Sequence, residues 1–478
     1  MGRESLLNDL RAIVGARFVL TEKEDTIVYE QDGSIFQVMP EIVVIPADTE
    51  QVSAVVKAVK RANVPIVPRG SGTGLAGGAV PAEGGIVLSL SRLDRILRID
   101  LQNRIAIVEP GVINAEVTRA VARDGLFYAP DPSSQAACSI GGNIANNSGG
   151  PHTLAYGVTT NHVLGIEVVL DDGEILWLGG EVPDTPGYDL CGIFVGSEGT
   201  MGIVTKAAVR LMQTRESVRT LLAIFDQMEH ATQTVVEITS AGIIPAALEI
   251  MDRTTIEAVE RGAPVGLPLD AEAVLIVEVE GLRESTERSV LLAEKICARN
   301  KARETKVAQD EAQRQSLWKA RKGAFGAMGT LAPNYYVQDG VVPRSKLPEM
   351  MRRVAEIGKQ FNLRIANVFH AGDGNLHPNI LFDIRVPGEL DRVVEAGAAT
   401  LRACIELGGS ITGEHGVGLE KKAYIGLLFT DADLEAMTRV RTAFDPDNRF
   451  NPAKLFPTPA SCGEVRLQPA SIPAGLWI

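Results

Sequence analysis

Three of the chain's six histidines fall within 46 residues, at His370, His377 and His415. His370 and His377 end two apolar runs that flank Asp373-Gly374, a dipeptide that favours a tight hairpin turn. A two-residue turn there pairs Gly372 with Asn375, Ala371 with Leu376, and His370 with His377. Directly opposed residues have Cβ atoms about 4.5–5.5 Å apart on one face, so two imidazoles placed this way can share one ion. Gly413-Glu414-His415-Gly416 supplies the rest. The Glu414 carboxylate completes a His2Glu set, the three-ligand pattern of an open catalytic metal site, and His415 stands beside it as a free base. Such ligands suit Zn2+, Mn2+, Fe2+ or Co2+. On these residues alone, metal-assisted hydrolysis and metal-assisted oxidation both stand. His152, His162 and His230 have no such company and read as structural.

A further cation belongs to this chemistry. Arg321, in Trp318-Lys319-Ala320-Arg321-Lys322, lies on a predicted helix, and its planar fork suits bidentate capture of a carboxylate. The alternative is a solvated helix cation.

Three glycine-rich loops form a second constellation. Pro68-Arg69-Gly70-Ser71-Gly72-Thr73-Gly74 runs on to Gly77 and Gly78 and contains a G-x-G-x-x-G match. A dinucleotide fingerprint needs a helix to start there. Pro81, Gly84 and Gly85 forbid one, so a nest of backbone N–H groups remains the expectation. The second loop is Cys138 to Gly150, with Ser139, Gly141, Gly142, Asn146 and Gly149. The third is Gly196 to Ile203, with Gly199. Three such loops in one domain can surround a large anionic cofactor.

Residues 41–215 read as short strands with few helices, an α+β pattern. From Thr220 strands alternate with longer helices, which predicts an antiparallel sheet with helices on one face, as in ferredoxin-like folds. The expected organisation is a helical segment over 1–38, a cofactor domain over 39–214, a substrate (cap) domain over 215–430 and a C-terminal segment over 431–478 that returns to the cofactor domain. A net charge of −13 argues against a nucleic-acid partner. Five cysteines without CxxC spacing argue against a disulfide framework or an iron–sulfur cluster in this chain and favour a reducing cytoplasm. No apolar run has the length of a transmembrane segment.

The three loops, in order and spacing, resemble the FAD-binding domain of the vanillyl-alcohol oxidase superfamily. From Trp318 to Phe456 the chain resembles the FAD-linked subunits of bacterial glycolate oxidases and the related D-lactate and D-2-hydroxyglutarate dehydrogenases. The motifs are Asn334-Tyr335-Tyr336-Val337-Gln338-Asp339-Gly340, the His370–His377 segment, Ser410 to Gly418, and Phe450-Asn451-Pro452-Ala453-Lys454. This resemblance implies that Arg69 to Gly74 meet the FAD pyrophosphate, with Pro68 also among the cofactor-binding residues. Ser139, Gly141, Gly142, Asn146 and Gly149 would line the ribityl chain and ring, with Gly199 and Ile203 completing the cradle and Asn451 approaching the flavin. No histidine stands in the first loop for covalent attachment, so the FAD is expected to be non-covalent. The resemblance also implies metal on His370, His377 and Glu414, a base at His415 and a carboxylate clamp at Arg321. The hydroxyglutarate enzymes carry threonine and lysine where this chain has Phe325 and Val337. A second carboxylate would lose its partners there, which favours a monocarboxylate: glycolate first, then D-lactate. Implied partners are an iron–sulfur subunit and a second flavin-type subunit, with a homodimer as another assembly and a location in the cytoplasm or at the inner membrane face through partners. A flavin-free His2Glu metallohydrolase and a non-catalytic FAD-binding subunit are the rival readings.

Overall fold

The computed structural model describes residues 2–183 and 185–457. The expected C-terminal segment beyond residue 457, and Cys462 with it, lies outside the described residues.

The N-terminal helix Arg3–Val14 buries Leu6, Leu10 and Val14 against helix Thr49–Ala62. That second helix starts at Asp48, whose carboxylate accepts the Gln51 N–H at 2.8 Å, and turns Val52, Val55, Val56 and Val59 inward. Beneath it, strands Ile42–Val44, Ile86–Ser89 and Ile66–Arg69 run parallel, with Val19–Leu20 antiparallel at the edge. A second, five-stranded antiparallel sheet follows in the order Ile96–Asp100, Ile105–Val108, Ile203–Arg210, Val163–Val169, Ile175–Gly179.

The large sheet of the later half has nine strands. At its centre, Ala273–Gly281 pairs with Ala247–Asp252, which pairs in turn with Arg364–His370. Helices cover both faces, not the one face expected. Leu221, Ala223 and Phe225 pack with helices Met228–Ser240 and Arg283–Arg299, whereas Leu222 and Ile224 pack with Arg253–Gly262 and Glu311–Ala327. Strand side chains alternate between faces, and here both alternating sets are apolar, so both need cover.

After helix Asp431–Phe444 the chain crosses back to the parallel sheet. Phe450 bridges to Ile66, and Asn451 donates its side-chain N–H to the carbonyls of Gly78 and Glu198 at 2.9 and 2.7 Å. None of the helices among the described residues is long and apolar enough to cross a membrane.

Candidate active site

The three glycine-rich segments line one cavity. Pro68 through Gly74, Ser139, Gly141, Gly142, Asn146, Gly199, Ile203 and Asn451 all lie on its wall. No helix follows the first segment, as its prolines and glycines require. The second segment is not a plain loop: Ile140–Asn146 is a short helix. Ser139 caps it by accepting the Gly142 N–H, and Ile140 and Ile144, one turn apart, are buried beneath it. The serine before an i, i+4 apolar pair was the signal for this helix, and the surrounding glycines masked it. Gly149 is not on the wall. It backs the metal candidates, where an added Cβ would lie 2.9 Å from a Glu414 oxygen. Arg69 is on the wall, but its guanidinium donates to the backbone carbonyls of Tyr29 and Gln31, and its own carbonyl accepts the Leu90 N–H at 2.9 Å.

Glu414 and His415 reach the same wall, and behind them the histidines gather. The His370 and His377 Nε2 atoms lie 3.3 and 3.2 Å from Glu414 Oε1, in a cluster with all ligand atoms within 4.8 Å of one another. Ligands bound at the usual lengths of about 2.0–2.2 Å around a tetrahedral ion stand about 3.3–3.6 Å apart. The two spacings here fall at the short end of that range and within 0.1 Å of it. His377 Nε2, buried with no hydrogen-bond partner, also fits a nitrogen reserved for an ion.

The hairpin that carries these histidines differs in register from expectation. His370 pairs with Asn375, not His377, and the flanking pairs Asn367–Pro378 and Ala366–Asn379 keep this register. The loop therefore spans four residues, Ala371 to Gly374. Its shape answers to a third strand: Val342 N–H donates to the Gly374 carbonyl at 3.0 Å, and Gly374 takes φ +81 where a Cβ would strike the Val342 carbonyl. His377 moves to the diagonal position. An offset of two keeps it on the same face, so the rings still meet, with centroids 5.1 Å apart.

Two buried carboxylates that sequence reasoning missed organise the site. Glu249, 0% exposed, lies directly opposite His370 on the neighbouring strand and contacts its Nδ1 at 2.8 Å. This is the carboxylate–histidine arrangement that fixes which nitrogen is left for an ion. Burial pulls the His370 imidazolium down, but Glu249 and Glu414 outweigh it and raise it to about 10. Asp339, also 0% exposed, gathers the Glu414 loop. It accepts the N–H groups of Gly413, Glu414 and His415 at 3.1, 3.2 and 2.8 Å, and the Thr412 hydroxyl at 2.5 Å. Burial raises the Glu414 carboxyl, yet His370 and His377 hold it well below the usual carboxylate range. His415 stacks on His377 at 4.9 Å, with its Nδ1 unpartnered. Burial, together with His377 and Lys421, lowers its imidazole to about 4 against the opposing pull of Asp339. The His415 imidazole is thus held in its neutral form, with the Nδ1 atom committed to no protein partner.

Arg321 is 0% exposed and lies off the cavity wall. Its Nε donates to Glu249 at 2.5 Å, and its Nη1 has no partner. The next residue, Lys322, does line the cavity, as do Phe325 and Val337. Lys322 donates to Asp131 at 3.2 Å, and Phe325 meets the His377 ring edge-on at 5.8 Å. His152, read as isolated, instead bridges Asp131 and Glu278 at 2.9 and 3.4 Å beside Trp318. His162 contacts the Tyr156 carbonyl through Nε2 at 2.9 Å.

Comparison with known proteins identifies the family. Residues 214–455 match the family model of FAD linked oxidases, C-terminal domain, and residues 40–179 match an FAD binding domain. The chain is 45% identical to glycolate oxidase subunit GlcD of Escherichia coli over 463 residues, covering 97% of this chain and 93% of that protein. It is 45% identical to the protein of the same name in Bacillus subtilis, covering 90% and 92%. It is 35% identical to a D-lactate dehydrogenase of Archaeoglobus fulgidus, covering 87% and 91%. Among solved structures, p-cresol methylhydroxylase with substrate bound superposes with a TM-score of 0.80 at 18% identity, covering 95% of this chain and 96% of that one. A 4-ethylphenol oxidase from Gulosibacter chungangensis gives 0.77 at 18% identity, covering 95% and 97%. The chain belongs to the FAD-linked oxidases and is an FAD-dependent oxidoreductase with a vanillyl-alcohol oxidase type fold.

Proposed function

We propose that this flavoenzyme oxidises a small 2-hydroxy monocarboxylate, glycolate in the first place and D-lactate in the second, to the 2-oxo acid. One observation carries the reading: Glu414 and His415 stand on the wall of the cavity built by the glycine-rich segments, and His370 and His377 close the cluster directly behind them. Bound there, FAD would supply a hydride acceptor at N5, and a divalent metal (Zn, Mn or Fe) would lower the pKa of the substrate hydroxyl.

The chain's own residues account for the rest. His415 takes the hydroxyl proton on its imidazole as the Cα hydrogen leaves with its electron pair, which balances a two-electron oxidation. Asp339 holds the main-chain N–H groups of Glu414 and His415, so the base has little freedom to swing. Glu249 fixes the His370 ring. Arg321, whose Nη1 is free of protein partners, offers the charge that orients the substrate carboxylate. Lys322 is a second claimant for this contact, because it faces the cavity and Arg321 does not. Phe325 and Val337 leave an apolar wall where a second carboxylate would be desolvated without a partner, which supports a monocarboxylate.

The partner proteins proposed are an iron–sulfur subunit and a second flavin-type subunit that take electrons from the reduced flavin. The GlcD relatives bear the name of a subunit, which supports an assembly of this kind. The metallohydrolase alternative leaves the glycine-lined cavity without a ligand. The test is anaerobic bleaching of the bound flavin across a panel of D- and L-2-hydroxy acids. Glycolate or D-lactate should reduce it, and chelation should stop the reduction while the flavin stays bound. Bleaching that survives chelation would remove the metal from the reaction.

A further inference from the structure

The loop that carries Glu414 and His415 is held from two sides. Asp339, on the cap side, takes the N–H groups of Gly413, Glu414 and His415. Glu198, from the third cavity segment, takes the next available pair, Val417 and Gly418, at 2.6 and 2.8 Å. Between them the Gly416 N–H goes to the Thr412 hydroxyl at 3.1 Å. Every N–H from 413 to 418 is therefore assigned, and two carboxylates on opposite sides hold five of the six.

Glu198 is unusual in its own segment. It takes φ +53, a left-handed conformation that side chains other than Asn, Asp and Gly seldom adopt, while the glycines Gly196 and Gly199 beside it also turn left-handed. A third glycine at 198 would relieve the strain, so the carboxylate must return something that offsets it. Its main chain is anchored as well: its N–H donates to the Ala145 carbonyl at 2.8 Å, and its carbonyl accepts from Asn451 at 2.7 Å. Ala145 and Asn451 both lie on the cavity wall, as does Glu198 itself. One residue thus connects two walls of the flavin cavity to the loop that ends in the metal candidate and the base. Asn146 adds a parallel tie by donating to the His415 carbonyl at 3.0 Å.

We propose that Glu198 is a positioning residue that couples the two cofactor sites: flavin in the cavity fixes the Glu198 segment, the Glu198 carboxylate fixes the Glu414–His415 loop, and metal consequently binds more tightly to the flavin-loaded protein. This rests on the two-cofactor reading above. Coupling of this kind is reciprocal, so metal must tighten FAD binding by the same factor, typically 5–150-fold for linked sites.

The experiment titrates Zn2+ against a chromophoric chelator, using the full chain stripped of FAD and the same chain reloaded with FAD. The wild type should bind Zn2+ at least about fivefold more tightly with FAD present. In Glu198→Gln the FAD effect should fall within twofold, because an amide places an N–H group against the loop amides. Glu198→Gly is the companion variant, since glycine accepts the backbone angle and keeps the chain folded if glutamine does not; it too should lose the FAD effect. Equal Zn2+ affinity in the two wild-type forms would overturn the coupling while leaving a metal site in place. Full FAD dependence retained in either variant would overturn the role of Glu198. No Zn2+ bound in either form would overturn the metal reading of the preceding section and this inference with it.

Discussion

The flavin cavity and the histidine cluster share a wall but are built from different material. The cavity is lined by segments in which glycine lets the backbone come close, and the buried Arg69 among them turns its guanidinium to protein carbonyls. The cluster is made of side chains, and its members are held by others: His370 by Glu249, Glu414 by the loop that Asp339 gathers, His415 by its stack on His377. A backbone cradle has few contacts that a substitution can remove, and it fails when something is added. A side-chain cluster fails when something is taken away, including residues that never touch the ligand.

The largest effect expected from this contrast is subtraction at the base. His415→Ala should lower kcat by about 10^2–10^4-fold while the flavin absorbance and the bound metal remain; turnover within tenfold of wild type would move the base elsewhere. Next comes subtraction behind the cluster. Glu249→Gln should weaken metal binding by about 10–100-fold, and Glu249→Ala should also destabilise the chain by about 3–5 kcal/mol, because Arg321 is left buried without its counter-charge. A chelator titration and a denaturant curve separate the two.

Addition to the cradle should have a smaller and opposite signature. At Gly141 a new Cβ would lie 2.7 Å from the Pro110 Cβ and 3.1 Å from its carbonyl oxygen. Overpacking of this kind costs about 1–3 kcal/mol, so Gly141→Ala should weaken FAD by roughly tenfold and leave the metal affinity of the FAD-saturated protein unchanged. If Gly141→Ala lost metal at saturating FAD as well, the division between the two regions would not hold.

The smallest effect lies where the first half of the chain meets the nine-stranded sheet and its helix, at Asp131, His152, Glu278 and Lys322. Burial opposes the charge on His152, but Asp131 and Glu278 raise it to about 10; burial opposes the charge on Asp131, but His152 and Lys322 lower it to about 2. A raised histidine stabilises fully below its unfolded value of 6.5, and this is lost as pH climbs toward 10. A lowered aspartate stabilises above 3.8, and this is lost as pH falls toward 2. His152→Gln should therefore lower Tm at pH 6 by a few degrees, on the order of 2–4 °C per kcal/mol. The difference from wild type should close as pH approaches 10; a constant deficit across that range would assign His152 to packing alone.

Much of this contrast was legible in the residues. Glycine density marked the cradle, and the Asp-Gly turn with Glu414-His415 marked the cluster, because each signal is local in sequence. Glu249 and Asp339 were not legible. What makes them important is strand order: Glu249 meets His370 across 121 residues and Asp339 meets His415 across 76. Nothing within one segment specifies that neighbour. The hairpin register failed for a similar reason, since the strand at Gly340–Val341 pairs with Asn375–Leu376 and reshapes a turn that looked two residues long. His152 looked isolated because its partners come from three separate elements.

The relation between His370 and His377 also constrains how this hairpin can change. A change at its tip that slipped the pairing by one residue would swing His377 to the far side of the sheet and separate it from Glu414, whatever residue was chosen. Changes in steps of two would keep both imidazoles in view of each other. The pairing register therefore carries a parity rule that ligand chemistry enforces, and an odd slip should be as damaging as loss of a histidine.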